Sequence, residues 1–311
     1  MYYLVYPLFW LAGFMPRWAQ RFKGWMLYLL LYRVLRYRVG VVRDNLSKAF
    51  KDKSQEELLD IERKFYRHLG DVFIDTMVMA SAPKKRMLKR IEFTNAEETE
   101  EFMAGRSWIS AMAHFGSWEL TTLWGEYAKK ARTKAVYRPL HNKVFDRIFR
   151  DARSRFGVEP VAMESVGRVV YDANRNHEPV ALAMIADQSA LGHTGSYWCD
   201  FMGRLTPVFN GMERLALRYK MPVVFLNMSK DKRGNYSATF EVIYDGEERV
   251  ERGEIIVRYL EKLEAMIQER PELWMWSHRR WKREWNAQQN MPNYVARRGD
   301  SLSVANKDKE V

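Results

Sequence analysis

Ile109–Gly125 reads ISAMAHFGSWELTTLWG. An apolar run ends at Ala113, and a histidine, a glycine, a serine and a glutamate follow in quick succession. Apolar runs of this length bounded by a turn signal read as buried strands. Ser117 is read as a helix N-cap, with Glu119 in the first helical turn, where the helix dipole favours a carboxylate. In an open α/β sheet, sites form beyond the carboxyl ends of strands, which is where this reading puts His114. Gly116 lets the chain turn there without a Cβ clash.

Around this stretch the pattern alternates. β-like runs fall at 107–113, 134–136, 179–186, 222–226 and 237–243, the last alternating polar and apolar like an edge strand. Helical stretches fall at about 117–130, 142–156, 165–176, 208–220 and 251–269. Strands alternating with helices predict an α/β sheet with crossover connections. Ser54-Gln55-Glu56-Glu57 is a capping box, and Leu58, Ile61, Phe65, Leu69, Val72 and Phe73 behind it predict an amphipathic helix over 55–80.

The chain has 311 residues, 47% of them hydrophobic, with 11 Trp, 16 Tyr and 16 Phe. That composition excludes disorder for most of the chain. Cys199 is the one cysteine, so no internal disulfide forms, and its aromatic surroundings predict inert packing. The net charge of +12 favours polyanionic partners.

Residues 1–16 carry no charged side chain. Arg17, Arg21 and Lys23 follow, then the apolar patch Trp25–Tyr32, then Arg33, Arg36, Arg38 and Arg43. The first run falls short of the roughly 20 apolar residues of a spanning helix and contains Pro7. Two short apolar patches flanked by cations and rich in Tyr and Trp predict an interfacial or re-entrant anchor over 1–43 on an anionic membrane surface. Residues 44–286 form the main domain, and the polar tail 287–311 is expected to be disordered. Arg279, Arg280, Lys282 and Arg283 interleave with Trp274, Trp276, Trp281 and Trp285. That mixture suits a membrane interface in preference to nucleic acid, which is not expected as a partner.

The spacing H-x-x-x-x-E from His114 to Glu119 lets a carboxylate fold back on an imidazole. Paired so, Glu119 fixes the tautomer and leaves the other ring nitrogen free to take a proton. The rival reading of the spacing alone is a structural histidine with its hydrogen bonds satisfied. Ser117 does not fit a nucleophile elbow. No second His or Cys sits at ligand spacing around His114, and no nucleotide-binding fingerprint occurs, so neither metal nor cofactor is expected.

At HFGSWE the sequence resembles the H-x-x-x-x-E/D box of membrane glycerolipid and lysophospholipid acyltransferases. Further segments, in order, resemble the late acyltransferases of bacterial lipid A biosynthesis: RYRVGVVRDNLSKAF, AVYRPLHNKVFDRIFRDARSRFG, MIADQSA, DFMGRLTPVFNGMERLA, MPVVFL and RPELWMWSHRRWK. They cover about residues 30–283. The resemblance implies a glycerolipid-acyltransferase-like mixed sheet flanked by helices, with an N-terminal membrane-anchoring segment. It implies transfer of a fatty acyl chain from an acyl carrier protein thioester to a hydroxyl of a lipid A precursor, at the cytoplasmic face of the inner membrane. His114 would be the general base and Glu119 its orienting partner. No acyl-enzyme forms in that chemistry. Arg138 and Asn142 would meet the anionic acceptor. For Asp187, within Asp187-Gln188, the resemblance leaves open buttressing Arg138, contacting acceptor together with Gln188, or capping the strand. Gly203, Arg204 and Thr206 would lie near the donor's pantetheine arm or acyl chain. The family's aromatic pair before that glycine is broken here by Met202. Two alternatives stay open: the same chemistry on another lipid acceptor, or a silent lipid-binding protein that keeps the fold.

Overall fold

The computed structural model describes residues 2–190, 196–286 and 293–296. Four helices come first: α1 Tyr2–Ala12, α2 Arg17–Tyr28, α3 Val39–Ala49 and α4 Gln55–Met79, with a π-turn at Leu29–Val34 between α2 and α3. α4 starts as its sequence predicts: Ser54 Oγ accepts from the Glu57 amide and the Glu57 carboxylate accepts from the Ser54 amide. A short α5 (Lys84–Met87) leads to β1 (Ile91–Phe93), α6 (Ala96–Met103) and β2 (Trp108–Met112). Then come β3 (Arg132–Tyr137), α7 (Lys143–Ser154), β4 (Glu159–Ala162), α8 (Val166–Arg175) and β5 (Val180–Ile185). The chain closes with β6 (Tyr197–Phe201), β7 (Arg204–Val208), α9 (Gly211–Tyr219), β8 (Val223–Lys230), β9 (Tyr236–Tyr244) and α10 (Glu254–Glu269).

Seven strands form one sheet in the order β1-β9-β8-β2-β5-β3-β4, and β6-β7 form a separate antiparallel hairpin. Every pair in the main sheet is parallel except β8-β9. β2 is central, and all five of its residues are buried, as a strand covered on both faces must be. Truncating Ile109 there to Ala would cost about 2–5 kcal/mol. The fold is therefore the expected mixed α/β sheet flanked by helices.

Several expectations need correction. Residues 237–243 belong to β9, which lies inside the sheet between β8 and the three-residue edge strand β1; its alternation reflects one buried face, not an edge. The stretch after the His114 turn is a 3₁₀-helix, Trp118–Glu126, and Ser117 makes no side-chain cap on it. The interleaved Trp and Arg residues near the C-terminus are largely core: Trp274, Trp276, Arg280 and Trp281 are all buried. They pack under β6-β7, with Phe201 edge-on to Trp274, and so cannot meet lipid.

The N-terminal helices lie directly on the domain. α2 crosses α4 so closely that a Cβ on Gly70 would stand 2.4 Å from the Gly24 carbonyl oxygen. Among the described residues, no helix is long and apolar enough to cross a membrane. The face of α2 turned away from α4 exposes Trp18, Phe22, Trp25 and Met26. The tail expected to be disordered from 287 lies outside the described residues except at 293–296. There the Val295 amide donates to Trp198 O at 2.9 Å, and its side chain is buried.

Candidate active site

β2 and β5 run parallel with Met112 opposite Ile185. That register makes the two residues beyond each strand neighbours, and the Ala186 amide donates to Met112 O at 3.1 Å. His114 and Asp187 therefore emerge side by side. His114 Nδ1 donates to Asp187 Oδ1 at 2.8 Å, and its backbone amide donates to Asp187 Oδ2 at 3.1 Å. The Trp274 indole N–H donates to the same Oδ2 at 2.8 Å.

The loop carrying the imidazole is fastened on its other side to the segment after α10. The Gly116 amide donates to Leu273 O and the Met275 amide to His114 O, at 2.9 and 3.0 Å. Gly116 has φ +59°, and a Cβ there would stand 3.0 Å from the Tyr236 ring. Glycine is required on both counts.

Asp187 is buried and acceptor-only in its ionised form. Burial pushes its carboxyl up. The His114 imidazole and the hydrogen bonds from His114 and Trp274 outweigh that and hold it below the usual carboxylate range. With Nδ1–H committed to Asp187, His114 Nε2 carries a lone pair, and the Gln188 amide donates to it at 3.2 Å. The imidazole is 20% exposed while its carboxylate partner is 2% exposed. The ring thus turns its free nitrogen outward and its anchored nitrogen inward. Trp118 closes one side, its ring edge-on at 5.1 Å between centroids.

Outside Nε2 lies a cleft of about 700 Å³ lined by His114, Trp118, Tyr137, Arg138, Gln188 and Met212, among others. Arg138 is exposed on its wall. Deeper in the sheet is an apolar cavity of about 60 Å³ bounded by Trp108, Met112, Trp124 and Phe240. Cleft and cavity share Trp118, Glu119, Val136, Arg153 and Ile185 as walls.

Glu119 does not orient His114. It is buried, and its carboxylate takes a two-pronged pair from Arg153 of α7: Nε to Oε2 at 2.9 Å and Nη2 to Oε1 at 2.5 Å. Burial alone would lower the Arg153 pKa; Glu119 more than offsets this and the net shift is upward. A 3₁₀-helix, tighter than an α-helix, carries Glu119 past the ring and into this partition.

The remaining expected site residues scatter. Gln188 touches the imidazole, and Asp187 sits beneath it, away from the cleft and from Arg138. Asn142 Oδ1 accepts from the Val144 and Phe145 amides and so caps α7. The cap engages its side-chain oxygen at the helix start, and Asn142 is not among the residues lining the cleft. Gly203, at φ +69°, turns the β6-β7 hairpin, and Arg204 and Thr206 follow in β7. Thr206 is fully buried, donating to Arg204 O and accepting from the Trp281 indole. None of the three lines the cleft.

Residues that sequence reading missed hold the site together. Trp274 fixes Asp187, and Arg153 fixes Glu119. The His278 Nε2 accepts from the Ser189 amide at 3.1 Å, and burial lowers its pKa to about 4, so it stays neutral. Arg280 is buried beside Asp187, and burial lowers its pKa to about 10. The sequence signals for these were the segments RPELWMWSHRRWK and, for Arg153, AVYRPLHNKVFDRIFRDARSRFG, which gave order without geometry. Among the described residues, no group of His, Cys, Asp and Glu is arranged to hold a metal ion.

A buried carboxylate, an imidazole and an open nitrogen above a cleft suit general-base chemistry on a hydroxyl. The family model of bacterial lipid A biosynthesis acyltransferases matches residues 1–283. The chain belongs to that family. It is accordingly an acyltransferase of bacterial lipid A biosynthesis. No curated protein matches the chain.

Proposed function

We propose that this acyltransferase moves a fatty acyl chain from an acyl carrier protein thioester to a hydroxyl of a lipid A precursor, at the cytoplasmic face of the inner membrane. His114 Nε2 removes the hydroxyl proton as the oxygen attacks the thioester carbonyl. The C–S bond then breaks, and the imidazolium gives its proton to the departing carrier thiolate, which leaves as a thiol and restores the neutral ring. Asp187 holds the ring and balances its charge while protonated, as the third group of a catalytic triad does. No acyl-enzyme intervenes.

The observation that carries this reading is the chain Trp274–Asp187–His114, which turns Nε2 of the ring to the mouth of the cleft. Gln188 occupies Nε2 until an acceptor hydroxyl displaces it. Arg138 on the cleft wall offers a planar fork of donors to an acceptor phosphate. The cleft itself, at about 700 Å³ and with Met184, Ile185, Phe209 and Met212 in its wall, has room for the acyl chain.

A surface groove lined by Arg36, Arg38, Arg279 and Lys282 against one carboxylate, Asp44, suits an acidic carrier. It is joined to the site through Asn45, whose amide donates to Trp276 O and His278 O at 2.7 Å. The exposed face of α2 suits a membrane interface, where Trp sits at headgroup depth.

The test is transfer from labelled acyl carrier protein to extracted lipid A precursor by the detergent-solubilised protein. His114→Ala should abolish it, and full activity in that variant would refute the base assignment. Mass spectrometry of lipid extracts from cells with and without the protein identifies the acceptor. A difference confined to lipids outside lipid A would overturn that part of the reading.

A further inference from the structure

Away from the cleft, between α2, α4 and the β8-β9 turn, lies a second cavity of about 40 Å³ that shares no lining residue with the first. One buried water needs about 10–15 Å³ of such volume, so this space suits a small polar group and not a hydrocarbon chain. Its walls carry Arg17, Arg21, Arg90, Lys230 and Arg233 against Asp71 and Asp75.

The two carboxylates are already engaged. Asp75 pairs with Arg90, and Asp71 pairs with Lys230 at 3.4 Å. Among the described residues, no ion pair reaches Arg17, Arg21 or Arg233. Arg17 and Arg21 find only neutral acceptors: both Nη2 atoms donate to Arg233 O, at 2.8 and 2.5 Å, and Arg17 Nη2 also donates to Asn235 Oδ1 at 3.1 Å. The nearby Asp231 carboxylate is turned into its own loop, accepting from the Asn235 amide at 2.8 Å. Burial, with Arg90 and Arg21 beside it, lowers the Arg17 pKa, and the Asp75 and Asp231 carboxylates offset this only in part.

Arg90 is the decisive residue. Its side chain is 9% exposed; Nη1 donates to Gln20 and Nη2 to Asp75, while Nε has no partner among the described residues. A buried guanidinium edge left unpaired costs free energy that a bound acceptor would recover. Three guanidiniums that no ion pair among the described residues reaches, around a pocket of this size and with a buried unpaired donor in its wall, make an anion site.

We propose that this cavity binds a phosphate group, held by Arg17, Arg21 and Arg233 and reached from below by Arg90. Guanidinium forks match phosphate oxygens in geometry and charge. The phosphate comes either from a lipid headgroup, since α2 carries exposed Trp18 and Phe22 on the same helix, or from free phosphate. The site is independent of the acyl-transfer reading.

The experiment titrates the full-length protein in detergent with inorganic phosphate and with glycerol phosphate, by calorimetry against chloride at equal ionic strength. Arg21 and Arg233 are exposed, so the double variant Arg21→Gln/Arg233→Gln should fold, with circular dichroism as the check; Arg233→Gln alone serves if it does not. Losing two charge-assisted contacts should weaken phosphate binding at least about tenfold, while Arg168→Gln, exposed on α8 and lining neither the cleft nor this cavity, keeps the wild-type affinity.

Vesicles separate the sources. If the double variant also loses binding to phosphatidylcholine vesicles carrying phosphatidic acid, relative to vesicles of equal charge carrying oleate, the ligand is a headgroup phosphate. If only soluble phosphate binding falls, it is free phosphate. Equal phosphate affinity in wild type and double variant, or an equal loss in Arg168→Gln, overturns the site.

Discussion

Asp187 reaches His114 twice, with Oδ1 2.8 Å from the ring Nδ1 and Oδ2 3.1 Å from the backbone amide. One carboxylate thus fixes both the loop and the tautomer. Asp187→Asn keeps the shape but lets an amide N–H face Nδ1, which drives the ring proton to Nε2 and leaves it no basic lone pair toward the cleft. The expected result is a fall of about 10²–10⁴-fold in kcat with little change in KM. Steady-state transfer kinetics with acyl carrier protein check it. A variant within a factor of a few of wild type would show that the ring needs no orienting carboxylate.

The pair Glu119–Arg153 makes a contrasting case. Both side chains are nearly buried, at 9% and 17% exposure. Removing one partner strands the other's charge, which costs about 3–5 kcal/mol. Glu119→Ala should therefore lower the melting temperature sharply, and Glu119→Ala/Arg153→Met should recover much of it. Thermal unfolding of the three proteins measures this. Whatever folded Glu119 variant remains should keep more activity than Asp187→Asn; the opposite ranking would return the orienting role to Glu119.

The contrast between these carboxylates also shows how far the sequence could be read. Short local patterns were legible: the buried run that became β2, the capping box at Ser54 and the basic–apolar rhythm of the N-terminus all depend on neighbours within one or two turns. The position of His114 at a strand end followed from the same local evidence. Its partner did not, because Asp187 lies 73 residues away and is brought alongside only by the β2-β5 register. Sequence spacing favoured Glu119, five positions on, but a 3₁₀-helix rotates that carboxylate toward Arg153. Periodicity was equally silent on β6 and β7, whose hairpin buries Trp281 and Arg280 where composition alone pointed to lipid.

The pH dependence of stability should be set largely by buried histidines. His278 has its pKa lowered by burial to about 4, against about 6.5 when unfolded. His68, fully buried, is also lowered well below its ordinary value by burial, with Lys230 beside it adding to the effect. Between the folded and unfolded values the unfolded chain binds protons that the folded chain refuses. The contribution of these two histidines is therefore full above pH 6.5 and declines as the pH falls toward 4, with His278 contributing up to about 3 kcal/mol; Asp75 and Glu213, raised by burial, act in the opposite sense. Asp187, held low in the folded protein, adds a loss of the same sign as the histidines at still lower pH. In His278→Gln, whose amide oxygen can still accept from Ser189, the slope between pH 6.5 and 4 should shrink by about one proton. Urea unfolding at several pH values reads it; an unchanged slope would mean that His278 is protonated in the folded state.

The outward face of α2 is the remaining test. In most surface helices the apolar stripe faces the core; here Gln20 and Gly24 face α4, while Trp18 and Phe22 stand 73% and 54% exposed. Burying a large apolar side chain is worth about 1.5–3 kcal/mol, so each should contribute roughly tenfold or more to membrane partitioning. Trp18→Ser/Phe22→Ser should reduce vesicle co-sedimentation by about a hundredfold and leave thermal stability within about 0.5 kcal/mol of wild type, because neither ring is buried and Phe22 stacks only on the exposed Trp25. Gly70→Ala should do the reverse: its methyl would meet the Gly24 carbonyl and prise α2 from α4, at about 1–3 kcal/mol, while the lipid-facing rings remain. If instead the serine variant destabilises the fold and keeps its vesicle binding, α2 is a packing element and the membrane contact lies elsewhere on the protein.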